Sequence, residues 1–250
     1  MIEIENRGDV AIARVQRGKG NALNLELLEA FERCLTTLEA SAARAVVVTG
    51  QGSVFGAGVD LPELVAGGES YVKKFIPLLD QVFEHIARFP KPIVAAVNGH
   101  AIAGGAILML ACDQRIVARG KARIGLTEIQ VGVPFPAWAL EIARFATPPE
   151  HFQTLILTGR TWLADEALAR GLVDEVVEPD QLEARALEVA GELGKLFPET
   201  YAASKLAVRR PLFEAVAASK LNEANILKAW SSPAVLDQMK SFVERTIRKA

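Results

Sequence analysis

Two features in the middle of the sequence have the residue types that enolate chemistry requires. The first is the pair Gly104-Gly105, which follows an apolar strand, Ile93 to Val97, and a turn, and which opens an apolar helix. Backbone N–H groups at the start of a helix have no carbonyl partner within that helix and can bind an oxyanion. The second is Glu128, an isolated acid among apolar residues, which could act as a general base. Together they predict an active site that removes a proton and stabilises the resulting negative charge.

The glycine pair alone does not identify a function. On spacing alone, two glycines at this place are more typical of close packing between a strand and a helix than of a binding site. The spacing from Gly99 to Gly104 does not match the dinucleotide motif G-x-G-x-x-G, and the sequence contains no P-loop motif. The G-x-S-x-G motif of serine hydrolases is also absent from the sequence.

Glu128 also has a structural explanation. Thr127 and Gln130 have the spacing of a capping box, which predicts that Glu128 is the first residue of a helix. A helix N-terminus favours the carboxylate form, whereas the apolar neighbours predicted here, Ile107, Phe135 and Trp138, disfavour it. A base that removes an α-proton near neutral pH requires the apolar surroundings to dominate the pKa.

Apolar periodicity predicts alternating strands and helices up to residue 197 and helices alone beyond it. Residues 2 to 17 have the alternation of a hairpin, and Ser70 to Phe89 have the periodicity of an amphipathic helix. Ala45 to Thr49 form a continuous apolar and β-branched run, which predicts a buried strand. We therefore predict a ββα-type core over residues 1–197 and a helical region over 198–250. The helical region either packs back on the core or forms an oligomer interface.

Composition indicates the broad class of protein. The 250 residues are half hydrophobic, which predicts a globular fold, and the net charge of −2 offers no general attraction to nucleic acid or to anionic membranes. Cys34 and Cys112 are predicted to be buried thiols, and no spacing of histidine and cysteine predicts a metal site. The absence of a signal-peptide pattern and of a long apolar run predicts a cytoplasmic protein.

Three blocks of the sequence resemble the crotonase superfamily, the enoyl-CoA hydratase/isomerase family. They are residues 21–23, residues 55–61 and residues 95–113, and segments near 158–177 are similar as well. The resemblance implies an α/β (α+β) fold, a crotonase/ClpP-like spiral of ββα units with a C-terminal α-helical trimerisation region. It also implies acyl-CoA thioester substrates, no cofactor other than the coenzyme A of the substrate, and a homotrimer or a dimer of trimers.

The resemblance assigns roles to individual positions. In the family, two backbone amides bind the thioester oxygen, and by position these belong to Val59 and Gly104. Ala57 would lie against the coenzyme A. Hydratases of the family have a second glutamate at the position of Ile107, so Glu128 would act alone here. The sequence in this region is most similar to that of Δ3,Δ2-enoyl-CoA isomerases, which need only one base for a 1,3-proton shift.

Four further residues complete the predicted substrate contacts. Asp60 follows the first glycine-rich loop, and Phe135 and Trp138 would form apolar walls for the acyl chain. Lys240 would contact the coenzyme A phosphates, and nearby cations are available to assist it: Arg245, Arg248 and Lys249.

Three alternatives to the isomerase reaction stay open at this point. Hydration of an enoyl-CoA or hydrolysis of an acyl-CoA thioester would need another acid, for which Glu63, Asp60 and Glu141 are candidates. A CoA-binding trimer without catalytic activity is the third. RNA binding has no support, because the sequence contains no basic stripe.

Overall fold

The computed structural model describes residues 1–219 and 223–246. Ten strands occur in these residues: β1 (Ile2–Arg7), β2 (Val10–Val15), β3 (Ala45–Gly50), β4 (Val54–Gly56), β5 (Ile93–Val97), β6 (His100–Ile102), β7 (Gln114–Ala118), β8 (Ile124–Gly125), β9 (Thr161–Trp162) and β10 (Glu175–Val177). The helices within the described residues are α1 (Leu25–Ala40), α2 (Leu61–Arg88), α3 (Gly104–Ala111), α4 (Glu128–Val131), α5 (Ala137–Ala146), α6 (Pro149–Thr158), α7 (Ala164–Ala169), α8 (Leu182–Gly194), α9 (Pro198–Ser219), α10 (Glu223–Trp230) and α11 (Pro233–Thr246).

Two sheets organise the core. The larger has the strand order β1-β2-β3-β5-β7-β10, in which only the β1–β2 hairpin is antiparallel. The smaller has the order β4-β6-β8-β9 and lies beside the larger one. Every residue of β3 and of β5 is buried, which is typical of parallel strands whose two faces are both covered. Alternation of strand pairs with helices confirms the predicted ββα architecture.

The helices beyond residue 197 pack back on the core of the same chain. Helix α9 packs against α5, whereas α10 and α11 pack against α2. Asp113, just after α3, connects α9 to the sheet: its two carboxylate oxygens lie 2.8 Å from Lys205 Nζ and from Arg209 Nη2, and it also accepts a bond from the N–H of Ile93. The first of the two predicted arrangements of the helical region is therefore present, and the division at residue 197 stays a prediction.

Some element boundaries differ from the predictions. Helix α2 begins at Leu61 rather than at Ser70, because Asp60 caps it by accepting a hydrogen bond from the N–H of Glu63 at 3.1 Å. Gly68, with φ of +57°, interrupts the helical geometry in between. The short strands β4 and β6 and the strand β7 have no clear periodicity of their own and were not among the predicted elements.

Cys34 and Cys112 are buried and form no disulfide, as predicted. Within residues 1–219 and 223–246, no helix has both the length and the apolar character needed to cross a membrane.

Candidate active site

A glycine-rich segment packs directly on the N-terminus of α3. We call this segment, residues 56–60, the glycine loop. A Cβ atom on Gly105 would overlap the carbonyl oxygen of Gly56, and a Cβ on Gly58 would lie 2.7 Å from the Cβ of Ala103. Gly58 also has a φ of +81°, a conformation that side chains rarely adopt. The glycines therefore allow two segments far apart in the sequence to approach with their backbones in contact.

The contact brings two backbone amides together. Leu23 donates its N–H to the carbonyl of Gly58 at 2.7 Å and accepts from the N–H of Asp60 at 2.8 Å, which makes a parallel bridge with Val59. In such a bridge the N–H of the middle residue, Val59, points away from Leu23. Gly104 is the first residue of α3, so its N–H has no carbonyl partner within the helix. The approach of Gly58 to Gly104 brings these two N–H groups to one place, where both can donate to the same oxyanion.

Ala103 orients the second amide. It precedes α3 with φ of +52° and ψ of −127°, an unfavourable conformation for a residue with a side chain. Its own N–H donates to the carbonyl of Gly125 at 2.9 Å, which fixes the turn against β8. Such strain costs on the order of 1–3 kcal/mol and is retained mainly at functional sites. The strained turn sets the direction in which the peptide N–H of Gly104 points.

Glu128 opens α4, a helix of a single turn. The predicted capping box is wrong, because Thr127 makes no side-chain capping bond. The side chain of Gln130 instead donates to the carbonyl of Gly159 at 2.7 Å and ties α4 to the end of α6. Gly132 ends the helix in the left-handed conformation, with φ of +89°. The prediction that Glu128 is the first helical residue is correct.

The carboxyl group of Glu128 lies in an apolar environment. The residue is 8% exposed, and its Oε2 atom has no hydrogen-bond partner among the described residues. Burial raises the pKa of Glu128 to about 8, although backbone hydrogen bonds at Glu128 and Thr127 oppose the rise. The apolar surroundings therefore dominate over the helix N-terminus, which is the condition stated above for a base.

A cavity of about 540 Å³ joins these groups. Five predicted site residues line it together: Ala57, Val59, Gly104, Ile107 and Glu128. Most of the other lining side chains are apolar, including Leu79 and Phe83 of α2, Val131 and Val133 after Glu128, and Ala139 of α5. The arrangement can hold a thioester oxygen on the two amides while an apolar group extends past Glu128.

Three of the other predicted contacts lie outside this cavity. Trp138 is 1% exposed and packs in the core, with its ring 6.1 Å from that of Phe213. Phe135, which precedes α5, lines a separate, smaller cavity. Asp60 pairs with Arg17 at 2.9 Å in addition to capping α2. Trp138 is therefore part of the core, Phe135 borders another cavity, and Asp60 is a helix cap.

The predicted phosphate contacts are on the C-terminal helix. Lys240 is exposed on α11, the helix that also contributes Phe242 to the cavity. Arg245 is exposed near the end of α11, whereas Arg248 and Lys249 lie outside the described residues. The role of Lys240 stays a prediction.

His100, Ile102 and Trp230 are among the residues that line the cavity without being predicted contacts. His100 and Ile102 are two positions apart on β6 and therefore share a face of the strand. The ring of His100 is held because its Nδ1 accepts from the backbone N–H of Arg123 at 3.1 Å. Trp230, on α10, has no local signal, because only the packing of the C-terminal helices brings it to the cavity.

The described residues contain no group of three or more histidine, cysteine, aspartate or glutamate side chains that could hold a metal ion.

Comparison with known proteins identifies the family. The family model described as "Enoyl-CoA hydratase/isomerase" matches residues 5–249. The short-chain-enoyl-CoA hydratase of Clostridium acetobutylicum is 33% identical over 97% of this chain and 94% of its own. The mitochondrial enoyl-CoA delta isomerase 1 of Mus musculus is 30% identical over 76% of this chain and 66% of its own.

A solved structure shows the same fold. The crystal structure of human mitochondrial delta3-delta2-enoyl-CoA isomerase covers 99% of this chain and 98% of its own, with a TM-score of 0.93 and 24% identity. The match extends over both sheets and the C-terminal helices, so the fold is that of the crotonase superfamily. By its sequence and by its fold, the chain belongs to the enoyl-CoA hydratase/isomerase family.

Proposed function

We propose that the protein is a Δ3,Δ2-enoyl-CoA isomerase, which moves the double bond of an acyl-CoA thioester by a 1,3-proton shift. One observation carries the proposal: among the described residues that line the cavity, Glu128 is the single carboxylic acid. Ile107, fully buried on α3, contributes only an apolar surface at the place where a second acid would be needed for hydration.

The geometry supports a two-step reaction. The thioester oxygen accepts hydrogen bonds from the N–H groups of Val59 and Gly104, and Glu128 removes a proton from C2 of the 3-enoyl chain. The electron pair delocalises over a dienolate whose charge the two amides stabilise, and each well-placed donor lowers the barrier by about 3–4 kcal/mol. Glu128 then returns the proton to C4, so that the double bond lies between C2 and C3.

The pKa of Glu128 suits both steps. A group with a pKa of about 8 is partly ionised near neutral pH, so it can accept a proton and return it with little difference in free energy. A carboxyl group with an ordinary pKa would be a weaker base toward carbon.

Hydration of 2-enoyl-CoA is the second candidate, because relatives with that name match most of the chain. That reaction must position water and also move its proton, which normally takes two acids. The other acids considered are committed to ion pairs: Asp60 and Glu63 with Arg17, and Glu141 with Arg144. Hydrolysis of the thioester lacks a second acid for the same reason, so the isomerase reaction has the stronger support.

The experiment is to mix purified protein with a 3-enoyl-CoA and follow formation of the conjugated 2-enoyl product. We expect the Glu128→Gln variant to lose a factor of about 10²–10⁴ in kcat, since a positioned acid–base group typically contributes that much. Glu141→Gln is the matched control, because Glu141 is buried to a similar extent but lies outside the cavity. An unchanged kcat in Glu128→Gln, or faster hydration of 2-enoyl-CoA than isomerisation, would contradict the proposal.

The exposed apolar side chains on and before α9 support assembly into the homotrimer or dimer of trimers expected from the sequence. Phe197 and Val208 are 69% and 66% exposed in the single chain. Large apolar side chains at such exposure are typical of surfaces that a partner covers.

A further inference from the structure

The residues that line the cavity change from exposed to fully buried along its length. Ala57 of the glycine loop is exposed, and Val54 and His100 beside it are partly exposed. Phe83 and Trp230 have 0% and 2% of their surface exposed, yet they also line the cavity. The cavity therefore has a mouth near Ala57 and a closed end formed by buried side chains.

This direction determines how a thioester of coenzyme A must lie. The nucleotide part is large and charged, so it stays at the mouth, where water can solvate it. The oxyanion amides hold the thioester between the two ends, and the acyl chain extends into the closed end. Burial of each methylene group there strengthens binding, as long as the chain still fits.

Trp230 is a rigid wall of the closed end. Its Nε1 donates to the carbonyl of Pro134 at 2.8 Å, so the indole is bonded to the segment that follows α4. Helix α10, which carries Trp230, packs on α2. The indole therefore cannot rotate away without breaking this hydrogen bond.

Ala139 determines how much space is left beside that wall. It is 3% exposed on α5, lines the cavity, and has only a methyl group as its side chain. The cavity volume of about 540 Å³ holds about eighteen water-sized atoms at roughly 30 Å³ each. A sixteen-carbon chain together with any part of the pantetheine arm needs more space than this.

We propose that Ala139 and Trp230 make the protein selective for acyl-CoA thioesters of medium chain length, with Ala139 leaving room for the end of the chain and Trp230 stopping longer chains. The inference rests on the proposed function only in taking an acyl-CoA as the ligand. It assigns the acyl specificity to one residue of α5 and one of the C-terminal helices.

The test measures binding of saturated butanoyl-, octanoyl- and hexadecanoyl-CoA by isothermal titration calorimetry, since saturated chains bind without being isomerised. For the unaltered protein we expect octanoyl-CoA to bind at least tenfold more tightly than either of the others. Ala139→Leu should weaken octanoyl-CoA at least tenfold more than butanoyl-CoA. Trp230→Leu should improve hexadecanoyl-CoA at least tenfold relative to octanoyl-CoA.

Ala137→Leu is the matched control. Ala137 lies on the same helix and receives the same added volume, but it lines the neighbouring smaller cavity. We expect its ratios of affinity between chain lengths to equal those of the unaltered protein. Circular dichroism checks that each variant is folded, and if Ala139→Leu does not fold, Trp230→Leu tests the proposal from the opposite direction.

The outcomes separate this inference from the proposed function. Equal affinity of the unaltered protein for octanoyl- and hexadecanoyl-CoA would overturn the chain-length selectivity. Variants with unchanged ratios would overturn the roles of Ala139 and Trp230. Isomerisation of 3-enoyl-CoA does not enter these measurements, so a failed isomerase assay with intact acyl-CoA binding rejects only the proposed reaction.

Discussion

At the scale of single residues, the site depends on one carboxyl group whose ionisation is set by burial. Glu128 has no charged partner in the cavity, and apolar side chains surround it. Ile107, which lines the same cavity, is apolar and supplies no second acid. The chemistry of the proposed reaction is therefore sensitive to the protonation of Glu128 and to any second acid introduced beside it.

The first prediction concerns pH. Burial raises the pKa of Glu128 to about 8, so the protonated, inactive form predominates below that pH and the base form above it. We expect kcat/KM for 3-enoyl-CoA to rise about tenfold per pH unit up to about 8 and then level off. Stopped-flow or steady-state rates from pH 5 to 9 measure this, in buffers where thermal unfolding shows that the protein stays folded. A profile that is flat from pH 5 upwards would mean an ordinary carboxyl pKa.

The second prediction concerns Ile107. A glutamate in its place would put a second carboxyl group at the same cavity as Glu128, which supplies the acid–base pair that hydration needs. We expect Ile107→Glu to add water to 2-enoyl-CoA measurably, with product identified as 3-hydroxyacyl-CoA, at a stability cost of about 1–3 kcal/mol for the buried polar group. The uncharged Ile107→Gln variant is the control, and equal hydration by the two variants would contradict the argument.

At the scale of elements, the proposed oxyanion site depends on the contact between the glycine loop and α3. Neither segment contains the site alone, since the amides of Val59 and Gly104 belong to different segments. The contact has no room for a side chain at Gly58 or Gly105. The spacing between the two donors is therefore set by backbone packing.

The third prediction tests that packing. In Gly58→Ala the new methyl group would meet Ala103 at 2.7 Å and force the loop away from α3. We expect kcat to fall by about 10²–10³, as when one oxyanion donor is lost, with a smaller change in KM. Gly52→Ala is the control, because Gly52 also has a positive φ, of +73°, but no atom within 4 Å of the added Cβ. If both variants lose kcat equally, backbone strain rather than the contact is responsible.

Part of this arrangement is predictable from the sequence and part is not. Hydrophobic runs such as Ala45 to Thr49 predict the buried strands correctly, because burial on both faces leaves a continuous apolar pattern. The capping box predicted at Thr127 is wrong, because the side chain of Gln130 donates to the carbonyl of Gly159 instead. Gly159 is distant in the sequence, so the local pattern does not predict this bond. The size and aromatic character of Trp138 predict a contact with the acyl chain. They do not show which side of α5 the residue occupies, and in the structure it packs in the core.

Some of the site residues are predictable from the sequence, and others are not. Glu128 and the amide of Gly104 lie in continuous motifs, so their shared location could be predicted. Trp230 and Phe242 come to the cavity through the packing of α10 and α11 on α2, and no local pattern encodes that contact. The residues at the closed end of the cavity could therefore be identified only from the structure.

At the scale of the whole molecule, a buried ionic cluster joins the C-terminal helices to the sheet. The side chains of Lys205 and Arg209 are 5% and 8% exposed, and both bond to Asp113. Because α9 carries both cations, the cluster ties α9 to the segment that follows α3. The position of α9 therefore depends on a carboxylate that does not line the cavity.

The fourth prediction concerns this cluster. Asp113→Asn would leave two buried cations without their carboxylate, which typically lowers the free energy of unfolding by about 3–5 kcal/mol. Urea denaturation measures the loss. Glu188→Gln, which removes a partner of Arg185 that is 59% exposed, should cost less than about 1 kcal/mol. Similar losses in the two variants would show that the buried cluster contributes no more than a surface ion pair.

The burial of Glu128 also bears on the fate of hydrogen isotopes in the proposed reaction. Because the carboxyl group is 8% exposed and bordered by apolar side chains, we expect its proton to exchange with solvent more slowly than it is returned to the substrate. The hydrogen taken from C2 is then the one delivered to C4. Deuterium placed at C2 of the substrate would be retained in the product, whereas little deuterium would enter from heavy water, so the enzyme would transfer the label within one molecule.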